Sequence, residues 1–172
     1  MSPNKQVARS TGATFTNVNP IYPHLNFFSM TPMQLAAIKS SWALAVPHAD
    51  AVGKAFYANL FTIDATLRPM FADDINGQSG KFVAMVTRLV NHLDDADTVT
   101  REITGLAQRH THYGVRPAHY TTAGQALVQT LSDGLGEHWT PPVQEAWGAL
   151  YQTIASAMIS IGAAEQHGQV AD

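Results

Sequence analysis

Leu106-Ala107-Gln108-Arg109-His110-Thr111-His112-Tyr113-Gly114-Val115 decides how the rest of this 172-residue chain is read. His110 stands three residues after Ala107, four after Leu106 and seven after Ile103. At 3.6 residues per turn those positions share one helix face, so an imidazole sits on an apolar stripe. A ring placed there needs a hydrogen bond or a metal, because burying it unpaired is costly. The spacing leaves both open. His112 does not join His110 as a chelating pair, since residues two apart on a helix point to opposite sides. It reads as a solvated neighbour. Gly114 supplies the stop, glycine being the residue that tolerates the left-handed backbone past a helix end.

Outward from this helix the same periodicity repeats. Downstream, Pro117 opens a long segment through Tyr120, Leu127, Val128, Leu131 and Leu135 that ends at Gly134 and Gly136. Thr140 and Pro141 then start a last helix holding Val143, Trp147, Leu150, Tyr151, Ile154, Met158 and Ile161. Upstream, the His110 helix is expected from about residue 98. The helix before it is expected over about 78–93, with Phe82, Val86, Leu89 and Leu93 as its stripe. Residues 62–71 read as a tight corner, and a helix from about residue 49 aligns Val52, Phe56, Leu60 and Phe61. Thr31, Pro32 and Gln34 form a capping box at the start of the first helix, which carries Leu35, Ile38, Trp42 and Leu44 and stops at Pro47. No segment alternates with period two. The pattern predicts an all-α domain over residues 31–163, between a loose arm at 1–30, too poor in apolar residues to repay its ordering, and a flexible tail at 164–172.

Composition narrows the chemistry. Hydrophobic residues make up 45% and charged ones 13%, the balance of a globular chain with one core. A net charge of -3 offers no basic field for nucleic acid or an anionic membrane. No cysteine is present, which removes disulfides, thiolate catalysis, iron–sulfur ligation and zinc–thiolate sites, and suits a reducing cytoplasm. No apolar run approaches the length that crosses a bilayer, and residues 1–19 lack the apolar stretch of a secretory signal, so a cytoplasmic monomer or homodimer is expected. There is neither a Gly-x-Ser-x-Gly elbow nor a phosphate-binding glycine loop.

The stretch from Leu106 to Val115 resembles the proximal helix of globins. The resemblance continues through Pro117-Ala118-His119-Tyr120, Gly124-Gln125-Ala126-Leu127, Leu135-Gly136, Trp139-Thr140-Pro141 and Ala146-Trp147-Gly148-Ala149-Leu150-Tyr151. Trp42, Phe56-Tyr57-Ala58-Asn59-Leu60-Phe61 and Arg68-Pro69-Met70-Phe71 fit the early helices. The spacings are similar to those of single-domain bacterial haemoglobins and close to those of neuroglobins. The resemblance implies a globin fold, with about seven to eight helices crossing around a haem pocket. It also implies haem b (iron protoporphyrin IX) as cofactor, His110 as the iron ligand, and oxygen, carbon monoxide or nitric oxide as the gas.

The resemblance assigns further positions residue by residue. Phe71 falls against the porphyrin face, and Gln78 at the distal position with Phe82 one turn later. Tyr57 falls where bacterial globins often put a tyrosine beside the gas. Lys81 falls near the pocket edge and can pair with a haem propionate, as can Arg109 or His112, and Val115 belongs to the proximal stretch. A gas that gains negative charge on binding is stabilised by a hydroxyl or amide donor, which Tyr57 and Gln78 would supply. Neuroglobins carry histidine at the distal position; Gln78 departs from that pattern and implies an open sixth site. Flavohaemoglobins pair the proximal histidine with a tyrosine and a glutamate. Tyr120 matches the tyrosine, but Gly162 stands where the glutamate is expected. The implied function is reversible oxygen binding. The rivals are nitric oxide dioxygenation or peroxidase chemistry with a separate reductase, and gas sensing through the arm.

Overall fold

Thr31 opens the first helix with two reciprocal bonds. Its hydroxyl oxygen accepts the Gln34 N–H at 3.2 Å, and the Gln34 side-chain oxygen accepts the Thr31 N–H at 2.9 Å. This is a computed structural model, and it describes residues 30–71 and 74–168; the expected arm therefore lies outside the described residues except for Met30, which is buried. Six α-helices follow in order: α1 Pro32–Ala45, α2 Ala49–Ile63, α3 Ile75–Asn91, α4 Ala96–His112, α5 Pro117–Leu135 and α6 Pro141–Gly168. Among the described residues there is no strand, as the lack of period-two alternation predicts. Among the described residues the α-helices number six, slightly fewer than the seven to eight expected. Val46–His48, Ala65–Met70 and Gly136–His138 close as short 3-10 turns, the first containing Pro47, the second capped by Asp64 and the third beginning at Gly136.

Two helices start earlier than their apolar stripes indicate. The carboxylate of Asp74 accepts the Gly77 N–H at 2.9 Å, so α3 begins at Ile75 rather than near 78. Asp95 accepts the Thr98 N–H at 3.1 Å, and α4 begins at Ala96 rather than near 98. In each case the cap, not the first core residue, sets the start.

Packing places the elements around two tryptophans. α2 lies against both α3 and α5, α1 against α6, and α4 against α6. Trp42 and Trp147 meet with ring centroids 5.9 Å apart. Each indole satisfies its donor inside the core, Trp42 to the Thr87 hydroxyl and Trp147 to the Ser41 hydroxyl. The α2–α3 crossing is close because Gly53 has no side chain; a Cβ there would lie 2.8 Å from both the Cβ and the carbonyl oxygen of Ser79. α4 is held differently. It is not a closely packed partner of α2 or α3, which leaves the His110 helix standing off from the helices that carry Tyr57 and Phe82. Among the described residues no helix is long and apolar enough to cross a membrane.

Candidate functional site

His110 lies in the last turn of α4 and is half-buried. Its Nδ1 is 2.9 Å from the carbonyl oxygen of Leu106, one turn earlier. A carbonyl only accepts, so Nδ1 carries the hydrogen and Nε2 keeps its lone pair. Burial lowers the histidine's pKa, the Leu106 bond opposes that in part, and the charge of Arg109 lowers it further. The result is a neutral ring with one basic nitrogen uncommitted among the described residues. The chain then turns sharply, Gly114 taking φ +73° and the Val115 N–H donating to the His110 carbonyl at 3.0 Å. The ring of Tyr120, on α5, lies nearly parallel to the imidazole at 6.1 Å. Tyr120 is in turn fixed through its carbonyl, which accepts the hydroxyl of Tyr151 on α6. Gly124 makes room for that tyrosine: a Cβ there would meet the Tyr151 ring at 2.5 Å.

A second group of rings gathers from α2, α3 and the corner. Tyr57 is buried, with Phe71 at 5.1 Å and Phe56 at 5.2 Å, both edge-on, and Phe61 at 5.9 Å. Phe82 stacks on Phe56 at 3.9 Å and reaches Tyr57 edge-on at 6.3 Å. The Tyr57 hydroxyl has no hydrogen-bond partner among the described residues and is not itself sealed off, while burial of the residue pushes its pKa up to about 12. It is a phenol that keeps its proton and has not used it.

The structure thus joins Tyr57, Phe71 and Phe82 in one cluster, and Val115 to His110. It does not bring the others into either group by a hydrogen bond or ring contact. Gln78 is half-buried, with no partner for its amide among the described residues. Lys81 and Arg109 are exposed. Three features escaped the sequence reading. The Leu106 carbonyl carries no side-chain signature. Phe61 was seen only as a core residue, and the Tyr151–Tyr120 link spans two helices; glycine at 124 inside a helix was its one visible hint. A surface groove beside α3, lined in part by Val46, Ala49, Val83 and Ala84, includes none of the expected site residues.

The donor set can be tested against a cofactor. Among the described residues no three histidine, aspartate or glutamate side chains converge on a point. A single imidazole with a free Nε2 does not hold a bare ion, but it suits a metal that brings an in-plane ligand set of its own. The second group, on α2, α3 and the corner, offers an aromatic, apolar lining with one unspent donor. These residues fit a flat, largely apolar, iron-bearing ring.

Comparisons with known proteins agree. The pattern of the globin family matches residues 54–158. The chain is 29% identical over 136 residues to a flavohemoprotein of Deinococcus radiodurans, covering 77% of this chain and 34% of that protein. It is 28% identical over 134 residues to a flavohemoprotein of Bordetella pertussis, covering 76% of this chain and 33% of that one. A neuroglobin of Danio rerio is 28% identical over 139 residues, covering 70% of this chain and 85% of that protein. The chain spans about a third of the length of the flavohemoproteins it matches.

Proposed function

Because the chain belongs to the globin family, we propose that it binds haem b through Nε2 of His110 and takes up oxygen reversibly on the opposite side. The observation that carries this reading is the state of His110, a neutral ring whose Nδ1 is committed to Leu106 and whose Nε2 is not. The haem, when bound, supplies the iron that holds the gas. The chain's own residues do the rest. Leu106 fixes the tautomer and orientation of His110. Phe71 and Phe82 line the pocket and keep water out. Tyr57 holds a proton it does not share with the protein and donates it to a gas that gains negative charge, with Gln78 as a second donor. Lys81 and Arg109, exposed at the edge, pair with the propionates, and Val115 closes the proximal turn. Residues 31–163 carry all of these groups. The lack of cysteine suits action in the cytoplasm.

Absorption spectra of the purified ferric, ferrous and carbonyl forms test the reading. The ferrous form should be five-coordinate, since Gln78 is a poor iron ligand, and should bind carbon monoxide. His110→Ala should stay helical but lose firm hold of haem. A wild-type ferrous spectrum in that variant, without added imidazole, would remove His110 from the role.

A second reading is favoured by the likeness to flavohemoproteins: an oxygen-dependent enzyme fed electrons by a separate reductase. Against strong electron push through His110 stands Gly162. A Cβ there would lie 2.8 Å from the Thr111 hydroxyl, so the position has no carboxylate and little space for one. Nitric oxide turnover with a supplied reductase separates the enzyme from the carrier.

A further inference from the structure

α1 is a surface helix whose outer face carries no charge. Its exposed residues are Pro32, Met33, Ala36, Ser40, Ala43 and Leu44, and its one ionisable side chain, Lys39, is taken by Asp94. Every other helix sets a charge among its exposed residues: Lys54 on α2, Lys81 on α3, Arg101 on α4, Asp133 on α5 and Glu145 on α6. Met33, Ala36, Ser40 and Ala43 recur at intervals of three and four with Leu44 beside them, so they fall within roughly a 100° arc of the helix. That is the width of a stripe that faces a core. Yet α1 already buries its own core stripe on the opposite side, through Ile38, Trp42 and Ala45.

The outer stripe has a shape as well as a character. Met33 is 81% exposed and Leu44 48%, and between them stand only small side chains. Ser40 donates its hydroxyl to the Ala37 carbonyl at 3.2 Å, so it adds little polarity to the surface. Two larger side chains bracket a flat apolar floor about 17 Å long by the helical rise.

The sequence holds an occupant of matching character, joined to one end of this stripe. Met30 is buried and Thr31 caps α1, so the chain enters the body beside Met33. Residues 1–29 lie outside the described residues. That arm is poor in apolar residues along its length but not at its end, where Ile21, Tyr22, Leu25, Phe27 and Phe28 fall close together. Between Arg9 and Lys39 there is no aspartate, glutamate, lysine or arginine, so the end of the arm and the stripe share one long uncharged run. Segments that stay in solvent are typically rich in charge and poor in aromatics; this one is the reverse. Reach agrees. Counted back from Met30 along an extended chain, Phe27 lies about 10 Å away and Leu25 about 17 Å. Counted forward along the helix, Ala36 lies about 9 Å away and Ser40 about 15 Å. Large side chains therefore come level with the small floor. Leu25 and Phe27, two apart, also face the same way in an extended chain.

We propose that residues 21–28 turn back at Ser29 and dock along the outer face of α1, with Phe27 over Ala36 and Leu25 over Ser40. The arm holds the stripe against a second copy of the chain because its attachment at Met30 keeps it at high effective concentration there. None of the candidate site residues is on α1, so the inference stands apart from the haem reading.

The absence of cysteine allows a direct test in the full-length holoprotein. Leu25→Cys combined with Ser40→Cys should close a disulfide under mild oxidation, read by mass spectrometry as a monomer that has lost both thiols, since the bond needs Cα atoms within about 7 Å. Leu25→Cys combined with Gln108→Cys is the control and should stay reduced, Gln108 being exposed on α4, which is not a closely packed partner of α1. Limited chymotrypsin digestion reads the same contact without cysteines. Ser40→Glu places a charge in the apolar floor, and cleavage after Tyr22, Leu25, Phe27 or Phe28 should become faster by about tenfold or more, with the helical circular dichroism unchanged. An arm cut equally fast in wild type and Ser40→Glu, or a Leu25–Ser40 pair that closes no better than the control, would overturn the proposal. Disulfide-linked dimers in place of monomers, with a yield that rises with protein concentration, would also overturn it and give the stripe to a second copy.

Discussion

Tyr57 is the residue on which the balance between gases turns. Its ring is packed on several sides, so Tyr57→Phe keeps the packing and removes only the hydroxyl. A hydrogen bond to a charged acceptor is worth roughly 1.5–3 kcal/mol, about ten- to a hundredfold in an equilibrium constant. Oxygen should leave the variant faster by about that factor, and carbon monoxide, which gathers little charge, should barely respond. Equal changes for both gases in stopped-flow dissociation would make Tyr57 a steric element instead. His110 gives a second test, through pH. Burial lowers its pKa in the folded chain, so the unfolded chain takes the proton first as pH falls. The stability tied to the neutral ring is full above about pH 6.5 and is lost as pH drops through the folded-state value. A proton also competes for Nε2, so ligation fails in the same direction. The haem absorption band should persist through pH of about 6.5 and collapse only below it; a collapse centred at or above that value would contradict the buried, neutral ring. His110 was legible as a member of a buried face, and Tyr57 only through the resemblance to bacterial globins. Their chemical states were not, because a backbone carbonyl acceptor and a missing hydrogen bond leave no mark in residue type.

At the scale of elements, the apolar stripes located every helix but misplaced two starts. A stripe reports where core contact begins, and the caps at Asp74 and Asp95 lie before that point. The capping box at Thr31 was legible because both partners are in the sequence three residues apart. The α2–α3 crossing was not legible, since a glycine in a helix reads only as a weak helix former. Gly53→Ala decides between two effects of opposite sign. Removing a helix-interior glycine favours the helix by up to about 1 kcal/mol. The new Cβ would stand 2.8 Å from the Ser79 carbonyl oxygen, and backbone cannot turn aside as a flexible side chain does. Overpacking of this kind costs about 1–3 kcal/mol, so the substitution should destabilise overall. Chemical denaturation of the holoprotein checks the sign. A variant as stable as wild type or more so would mean that α2 and α3 can slide apart.

For the whole molecule, the question is what holds α4 in place. α1, α2, α3, α5 and α6 contact one another through a shared core built on Trp42, Phe56, Leu131 and Trp147. α4 buries Val99, Ile103 and Ala107 and packs chiefly on α6. Its other neighbour, in the function proposed, is the haem, tied to it through His110. Taking the haem away then removes the iron bond and the apolar surface on one side of α4, while the tryptophan core loses little. Local stability follows the buried contacts an element keeps, so the loss should be confined. In hydrogen exchange, amides of α4 and of the turn at Gly114 should lose protection by orders of magnitude in the apoprotein. Those of α1, α2 and the Trp147 region of α6 should stay slow. The apoprotein should remain largely helical, with reduced thermal stability because ligand binding to the native state alone adds to it. Uniform loss of protection across all six helices would show that the haem supports the whole fold. Unchanged protection in α4 would show that its packing on α6 suffices, and that His110 is held without the cofactor.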